Sequence, residues 1–193
     1  MLPKTNTVLL AGLLEAGNDE VWRDFDGRYR PVLRAFASRL GLAPNDAEEV
    51  AQETLAQFVE LYRAGKYDRE RGRLRSWIFG IAQRRVADVR RARERRRERR
   101  GESALEPLTS EPELERLFEE EWQRALLAAA FAELRAGRTD PQSIRALELL
   151  ASGSRSADEV ATELSMTPNA VYAAKHRAVV KLREILTRLD RDW

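Results

Sequence analysis

Apolar residues recur at three- and four-residue steps along most of the chain. From 19 to 40, Trp22, Phe25, Tyr29, Val32, Leu33 and Phe36 form one stripe, which predicts a long helix. Pro31 lies inside it and predicts a kink or break, because proline donates no backbone hydrogen bond. The stretch APNDAEEVAQETLAQFVELYRAG predicts a second helix. Asn45 or Asp46 can cap it, and Asp46, Glu48 and Glu49 suit the positive end of its dipole. Val50 or Ala51, Leu55, Phe58, Leu61 and Tyr62 line its inner face, and Glu49, Gln52, Glu53, Gln57 and Glu60 its outer face. A third helix starts near Leu74, with Trp77, Ile78, Ile81, Ala82, Val86 and Val89 on its apolar stripe. That placement reads Trp77 as core. After Val89 the stripe ends and arginine takes over. Helices are also predicted from about Glu113 to Arg135 and around 141–150. The start, MLPKTNTVLLAGLLEAG, reads as a short helix rather than a signal peptide, having one Lys and no small-residue cleavage pattern. No stretch alternates with a two-residue period, so the expected fold is all-α.

Residues 156–177, SADEVATELSMTPNAVYAAKHR, hold two helix starts close together. Ser156 and Glu159 form a capping box, each satisfying the other's free backbone N–H. Val160, Ala161 and Leu164 then face inward. Thr167 caps the next helix, with Pro168 at its first position, where the missing N–H does no harm. This is the helix-turn-helix pattern. Val171, Ala174, Ala178 and Leu182 carry the buried side of the second helix. Asn169, Tyr172, Ala173, Lys175, His176 and Arg177 carry the other. Asn can pair with adenine, Ala and the Thr167 methyl can meet a thymine methyl, and Lys or Arg can meet guanine or phosphate. The plainer alternative is a helical hairpin with a polar outer face.

Composition narrows the function classes. The 193 residues suit one large domain or two small ones, and 43% apolar content supports real cores. There is no cysteine and a single histidine, which excludes disulfides, thiolate metal sites and multi-histidine sites. No metal, cofactor or catalytic residue is therefore expected, and His176 is not read as a ligand. No apolar run is long enough for a membrane span. The net charge is only +2 but is unevenly spread. Residues 63–100 hold 16 basic and 5 acidic groups, net +11, while residues 101–123 hold 1 and 8, net −7. The basic block suggests a nucleic-acid partner. A solvated charged helix is the plainer reading of residues 84–100. GESALEPLTSEP, residues 101–112, is small, polar, acidic and proline-containing, and reads as a flexible linker between two helical domains.

The order and spacing of these segments resemble the extracytoplasmic-function (ECF) sigma factors of bacterial RNA polymerase, in the sigma-70 family. DAEEVAQETL is similar to their region 2.2, RLRSWIFGIAQRRVADVRRAR to regions 2.3 and 2.4, and SADEVATELSMTPNAVYAAKHRAVVKLREIL to region 4.2. The resemblance implies a region 2-like domain over 1–100, a linker over 101–112 and a region 4-like domain over 113–193. It implies a cytoplasmic, non-catalytic subunit without cofactors that binds polymerase core and directs promoter-specific initiation. Asp46, Glu49, Gln52 and Glu53 would meet the β′ clamp helices, and a second contact would fall on the β flap. Lys66, Arg69, Arg73, Arg75, Gln83, Arg84 and Arg91 would open and read the −10 element. Thr167, Asn169, Tyr172, Ala173, Lys175, His176 and Arg177 would read the −35 element. An anti-sigma factor is a further partner that the resemblance allows. Many relatives carry Arg-Asn where this chain has Gln83-Arg84, and the turn often carries Gly where this chain has Ser165. From the residues alone, a stand-alone helix-turn-helix regulator stays open as the alternative.

Overall fold

The computed structural model describes residues 6–15, 18–68, 70, 72–99 and 110–192. Every regular element among them is an α-helix: α1 (Asn6–Leu13), α2 (Asp19–Arg39), α3 (Pro44–Arg63), α4 (Leu74–Glu98), α5 (Glu111–Ala136), α6 (Pro141–Ala151), α7 (Ala157–Leu164) and α8 (Pro168–Asp192). None of these helices is long and apolar enough to cross a membrane. The chain forms two compact units, one up to Ala125 and one over Leu126–Asp192.

The first unit is built on the stripes read from the sequence. Asn18 caps α2 by accepting the Val21 amide at 3.3 Å, and Phe25, Tyr29, Val32, Leu33 and Phe36 are buried along it. They meet Val50, Ala51, Leu55 and Phe58 of α3 and Ile78, Ile81, Ala82 and Val86 of α4 in one core. Of the two outcomes expected at Pro31, a kink or a break, the break does not occur: α2 runs through it. Pro31 and Gly27, whose carbonyl the proline cannot bond, are both exposed, so water can satisfy that oxygen. Helix α3 begins earlier than the expected Asn45 or Asp46 cap. Ala43 is its N-cap with no side-chain bond, and Pro44 opens its first turn. Helix α1 approaches α2 so closely that a Cβ at Gly12 would stand 2.7 Å from Val21 Cγ2. Arg63 Nε donates to the Leu13 carbonyl at 2.8 Å, satisfying the end of α1.

The units part at a different place from the expected linker. Residues 101–109 lie outside the described residues, and Glu111 and Pro112 already belong to α5. The N-terminal stretch of α5 belongs to the first unit: Leu114, Leu117, Phe118 and Trp122 are buried in its core. Trp122 packs against Tyr29 (ring centroids 5.6 Å apart), and Phe118 meets Phe36 edge-on (5.4 Å) and Phe79 (5.1 Å). The glutamates between them bond the first unit's cations. Arg39 Nη1 reaches Glu120 at 2.5 Å and Glu121 at 3.1 Å, and Arg75 reaches Glu119 at 3.2 Å. Acidic composition thus marks a docked helix, because apolar side chains every three or four residues give it a face to bury.

The second unit takes the rest of α5, where Leu126, Ala130 and Leu134 are buried, together with α6, α7 and α8. Asp140 caps α6, accepting the Gln142 and Ser143 amides at 3.3 and 3.1 Å and the Ser143 hydroxyl at 2.8 Å. Those bonds, the Ser143 hydroxyl foremost, hold its carboxyl below the usual aspartate range. Ala146, Leu149, Val160, Ala161, Val171 and Ala174 form a core of small side chains, which lets α6, α7 and α8 cross closely.

Candidate nucleic-acid interface

The helix-turn-helix is built from local bonds. Ser156 Oγ accepts the Glu159 amide at 3.3 Å, and Glu159 Oε2 accepts the Ser156 amide at 2.7 Å, completing the capping box. The Ser156 amide and hydroxyl hold the Glu159 carboxyl below its ordinary range. After two turns α7 ends on Ser165, whose φ of 54° and ψ of 44° place it in the left-handed region. The Met166 amide bonds the Ala161 carbonyl at 2.9 Å and the Ser165 amide bonds Thr162 at 3.4 Å, the bonding pattern of a Schellman turn. Met166 then packs on the small core. Thr167 Oγ1 accepts the Ala170 amide at 3.2 Å and Pro168 starts α8.

This turn sets which side of α8 faces outward. Val171, Ala174, Ala178 and Leu182 are buried, as the spacing predicted. Thr167, Asn169, Tyr172, Ala173, His176 and Arg177 are exposed on the other side. Tyr172 is 57% exposed, an unusual setting for a large ring. Lys175 is half-buried, on the flank of that face rather than its crest. Arg177 lies close enough to the Asp140 carboxylate to add to the lowering of that group.

In the first unit the expected DNA-facing residues divide. Lys66, Arg73, Arg84 and Arg91 are exposed, Gln83 and Arg75 are half-buried, and Arg69 lies outside the described residues. Arg84 Nε donates to its own helix at the Gly80 carbonyl (2.8 Å), and Arg91 pairs with Asp88 at 2.5 Å. Arg75 is held by Glu119. The basic loop also holds one aromatic residue, Tyr67. Its ring stacks on Trp77 at 5.1 Å and lies 6.1 Å from Tyr62, and its hydroxyl donates to the Gly72 carbonyl at 3.4 Å. Trp77 is itself half-buried, edge-on to Phe58 at 5.2 Å. An aromatic stack therefore runs from the core to the edge of the basic loop.

The outer face of α3 divides as well. Glu49 and Gln52 are exposed and have no polar side-chain partner among the described residues. Asp46 is half-buried against Arg93, and Glu53 stands 3.6 Å from Arg85, which also bonds Gln57 at 3.2 Å. The two outer members of the expected set are thus drawn toward α4. Sequence spacing could not show this, because helices α3 and α4 meet only in the folded unit. Among the described residues no three His, Asp or Glu side chains converge as a metal site would require.

Three comparisons bear on this arrangement. Residues 26–97 match the family model Sigma-70 region 2. The chain is 32% identical over 179 residues to the ECF RNA polymerase sigma factor ShbA of Streptomyces griseus, covering 88% of this chain and 89% of that protein. It is 26% identical over 183 residues to the ECF RNA polymerase sigma factor RpoE of Cereibacter sphaeroides, covering 94% and 95%. A solved structure, CnrH in complex with the cytosolic domain of CnrY, is 22% identical, covers 95% of this chain and 97% of that one, and gives a TM-score of 0.39.

Proposed function

The chain belongs to the ECF sigma factors of the sigma-70 family, non-catalytic factors that work with RNA polymerase to direct transcription initiation, and from that premise we propose how its surfaces divide the work. The α7–turn–α8 motif reads the −35 element. Thr167 and Asn169, at the start of α8, reach base edges, Tyr172 and Ala173 give apolar contact, and Lys175, His176 and Arg177 meet phosphates or guanine. The first unit takes the −10 element. Lys66, Arg69, Arg73 and Arg75 form a cationic track for an extruded strand, with Gln83, Arg84 and Arg91 continuing it along α4. Glu119 must release Arg75 for that residue to take part.

Glu49 and Gln52 form the centre of the surface for the β′ clamp helices, with Asp46 and Glu53 at its edge, where their pairs with Arg93 and Arg85 order it. The second unit supplies the β flap contact. The chain acts in the cytoplasm beside the polymerase, and an anti-sigma factor would act by covering one of these surfaces. The observation that carries the reading is the exposed polar face of α8, turned outward by the Ser165 turn over a buried apolar side. A stand-alone regulator would leave the first unit without a task. The test is reconstituted transcription: core polymerase with the purified chain should initiate from promoters recovered by genome-wide mapping of its binding. A chain that binds those sites as duplex DNA while ignoring core polymerase would establish the stand-alone reading instead.

A further inference from the structure

Asp88 is the one acid of α4 ahead of Glu94, among six arginines over residues 74–93. On a helix read as meeting DNA, a lone carboxylate repels phosphate, so its place calls for a reason. Neither core packing nor capping supplies one, because Asp88 is exposed and lies in the middle of the helix. Its two oxygens face two different arginines. Oδ1 accepts from Arg91 Nη2 at 2.5 Å, and Oδ2 lies 3.9 Å from Arg85 Nη1. Arg85 is shared in turn: Nη1 stands 3.6 Å from Glu53 of α3, and Nε donates to Gln57 Oε1 at 3.2 Å. A line of alternating charge, Glu53–Arg85–Asp88–Arg91, therefore crosses α4. Each step of three residues moves the side chain about 60° around a helix. Two such steps carry the line from the α3 side of α4 to its exposed face.

The ends of the line belong to different tasks. Glu53 is at the edge of the surface assigned to polymerase, and Arg91 is in the set assigned to the −10 element. The line is not needed to hold α4, which Ile78, Ile81, Ala82 and Val86 already fix in the core; exposed ion pairs add little to stability. What it does is divide attraction. Arg85 is pulled by Glu53 and by Asp88, and Asp88 by Arg85 and by Arg91. A partner that takes Glu53 leaves Arg85 to Asp88, and a carboxylate turned toward Arg85 loosens its hold on Arg91. A side-chain rotation suffices, since both guanidinium groups already stand within 3.9 Å of Asp88.

We propose that Asp88 is a positioning residue that couples the two surfaces: it withholds Arg91 from DNA in the free chain and yields it when polymerase engages Glu53. The proposal rests on the polymerase and −10 readings above. By linkage the coupling is reciprocal, so DNA on Arg91 also favours release of Glu53 to polymerase. The full chain, free and assembled with saturating core polymerase, is titrated at low salt with a single-stranded −10 oligonucleotide from the mapped sites. Asp88→Asn should tighten binding by the free chain about two- to fivefold, the range of an exposed ion pair, and leave the holoenzyme unchanged. Arg85→Gln should do the converse. It leaves Asp88 on Arg91 in both states, so the free chain is unchanged and the holoenzyme binds about two- to fivefold more weakly. In an Arg91→Gln background, Asp88→Asn should give no gain.

An equal gain from Asp88→Asn in both states overturns the proposal, because removing a negative charge would then act by simple attraction to DNA. No gain in the free chain overturns it too, as does a gain that survives Arg91→Gln. A wild-type holoenzyme that ignores the oligonucleotide would instead sink the −10 reading, and a chain that does not assemble with core would sink the polymerase reading.

Discussion

Ser165 holds a left-handed conformation at the corner that aims α8, and replacing it with glycine should stabilise the second unit. A side chain with a Cβ costs roughly 1–2 kcal/mol in that region. Glycine removes that cost but loses about 0.5–1 kcal/mol more chain entropy on folding. The difference favours Ser165→Gly by about 0.5–1 kcal/mol. The Ser165 and Met166 amides keep their bonds to Thr162 and Ala161, because those bonds belong to the backbone. Ser165→Val should act in the opposite direction, since a β-branched residue tolerates positive φ worst. Amide exchange read by mass spectrometry on the full chain isolates the effect, as peptides from α7 and α8 report on the second unit alone. Those peptides should exchange about two- to fivefold more slowly in Ser165→Gly, for a gain of about 0.5–1 kcal/mol in opening free energy, and faster in Ser165→Val. Peptides from α2 and α3 should not change. Exchange in Ser165→Gly equal to or faster than wild type would refute the claim that the turn is strained.

Other outcomes follow from the same geometry. Trp122→Ala should destabilise the first unit by about 3–5 kcal/mol in urea unfolding followed by Trp22 and Trp77 fluorescence, because a ring 1% exposed leaves a cavity beside Tyr29 and Phe118; a loss below about 1 kcal/mol would show that the start of α5 does not complete that core. Glu49→Arg with Gln52→Arg should weaken capture of core polymerase without altering thermal unfolding, and unchanged capture would move that contact off α3. Arg177→Ala should lower the salt slope for −35 duplex binding by about one if that side chain meets a phosphate. The Glu159 carboxyl is held below its ordinary value of 4.5 in the folded chain. The stability it adds is therefore present above that value and lost as pH falls through the lower folded value. Glu159→Gln should flatten the acid side of the α7 exchange profile, and an unaltered profile would deny the capping box that role.

Much of this was legible in the residues. The stripes of α2, α3 and α4, the Ser156–Glu159 box and the buried side of α8 are patterns spanning three or four positions, and the same pattern was available for α5. Leu114, Leu117, Phe118 and Trp122 repeat at helical spacing and read as a helix, but the sequence reading assigns that helix whole to the second domain, whereas these four side chains complete the first core. The surface residues were harder. Asp46 and Glu53 lie on the polar face, as read, yet their pairing with Arg93 and Arg85 follows from how α3 and α4 meet. Lys175 sits on a flank because α8 is rotated by its packing on α6 and α7. Tyr67 gains a role only because Trp77 and Tyr62 stand on either side of it.

By itself the sequence determined most of the helices, the caps of α7 and α8, the apolar faces and the family, because each of these is written in residues a turn or so apart or in a linear order of motifs. The tertiary structure alone decided that an acidic helix completes the first core and that half of the acidic α3 face is already paired. Those outcomes depend on partners 81 residues apart, as Arg39 is from Glu120, or 44 apart, as Arg75 is from Glu119. A charge read in isolation shows what it could attract. Only packing brings one particular opposite charge within reach, and so decides whether that attraction stays inside the chain or is offered to DNA and polymerase.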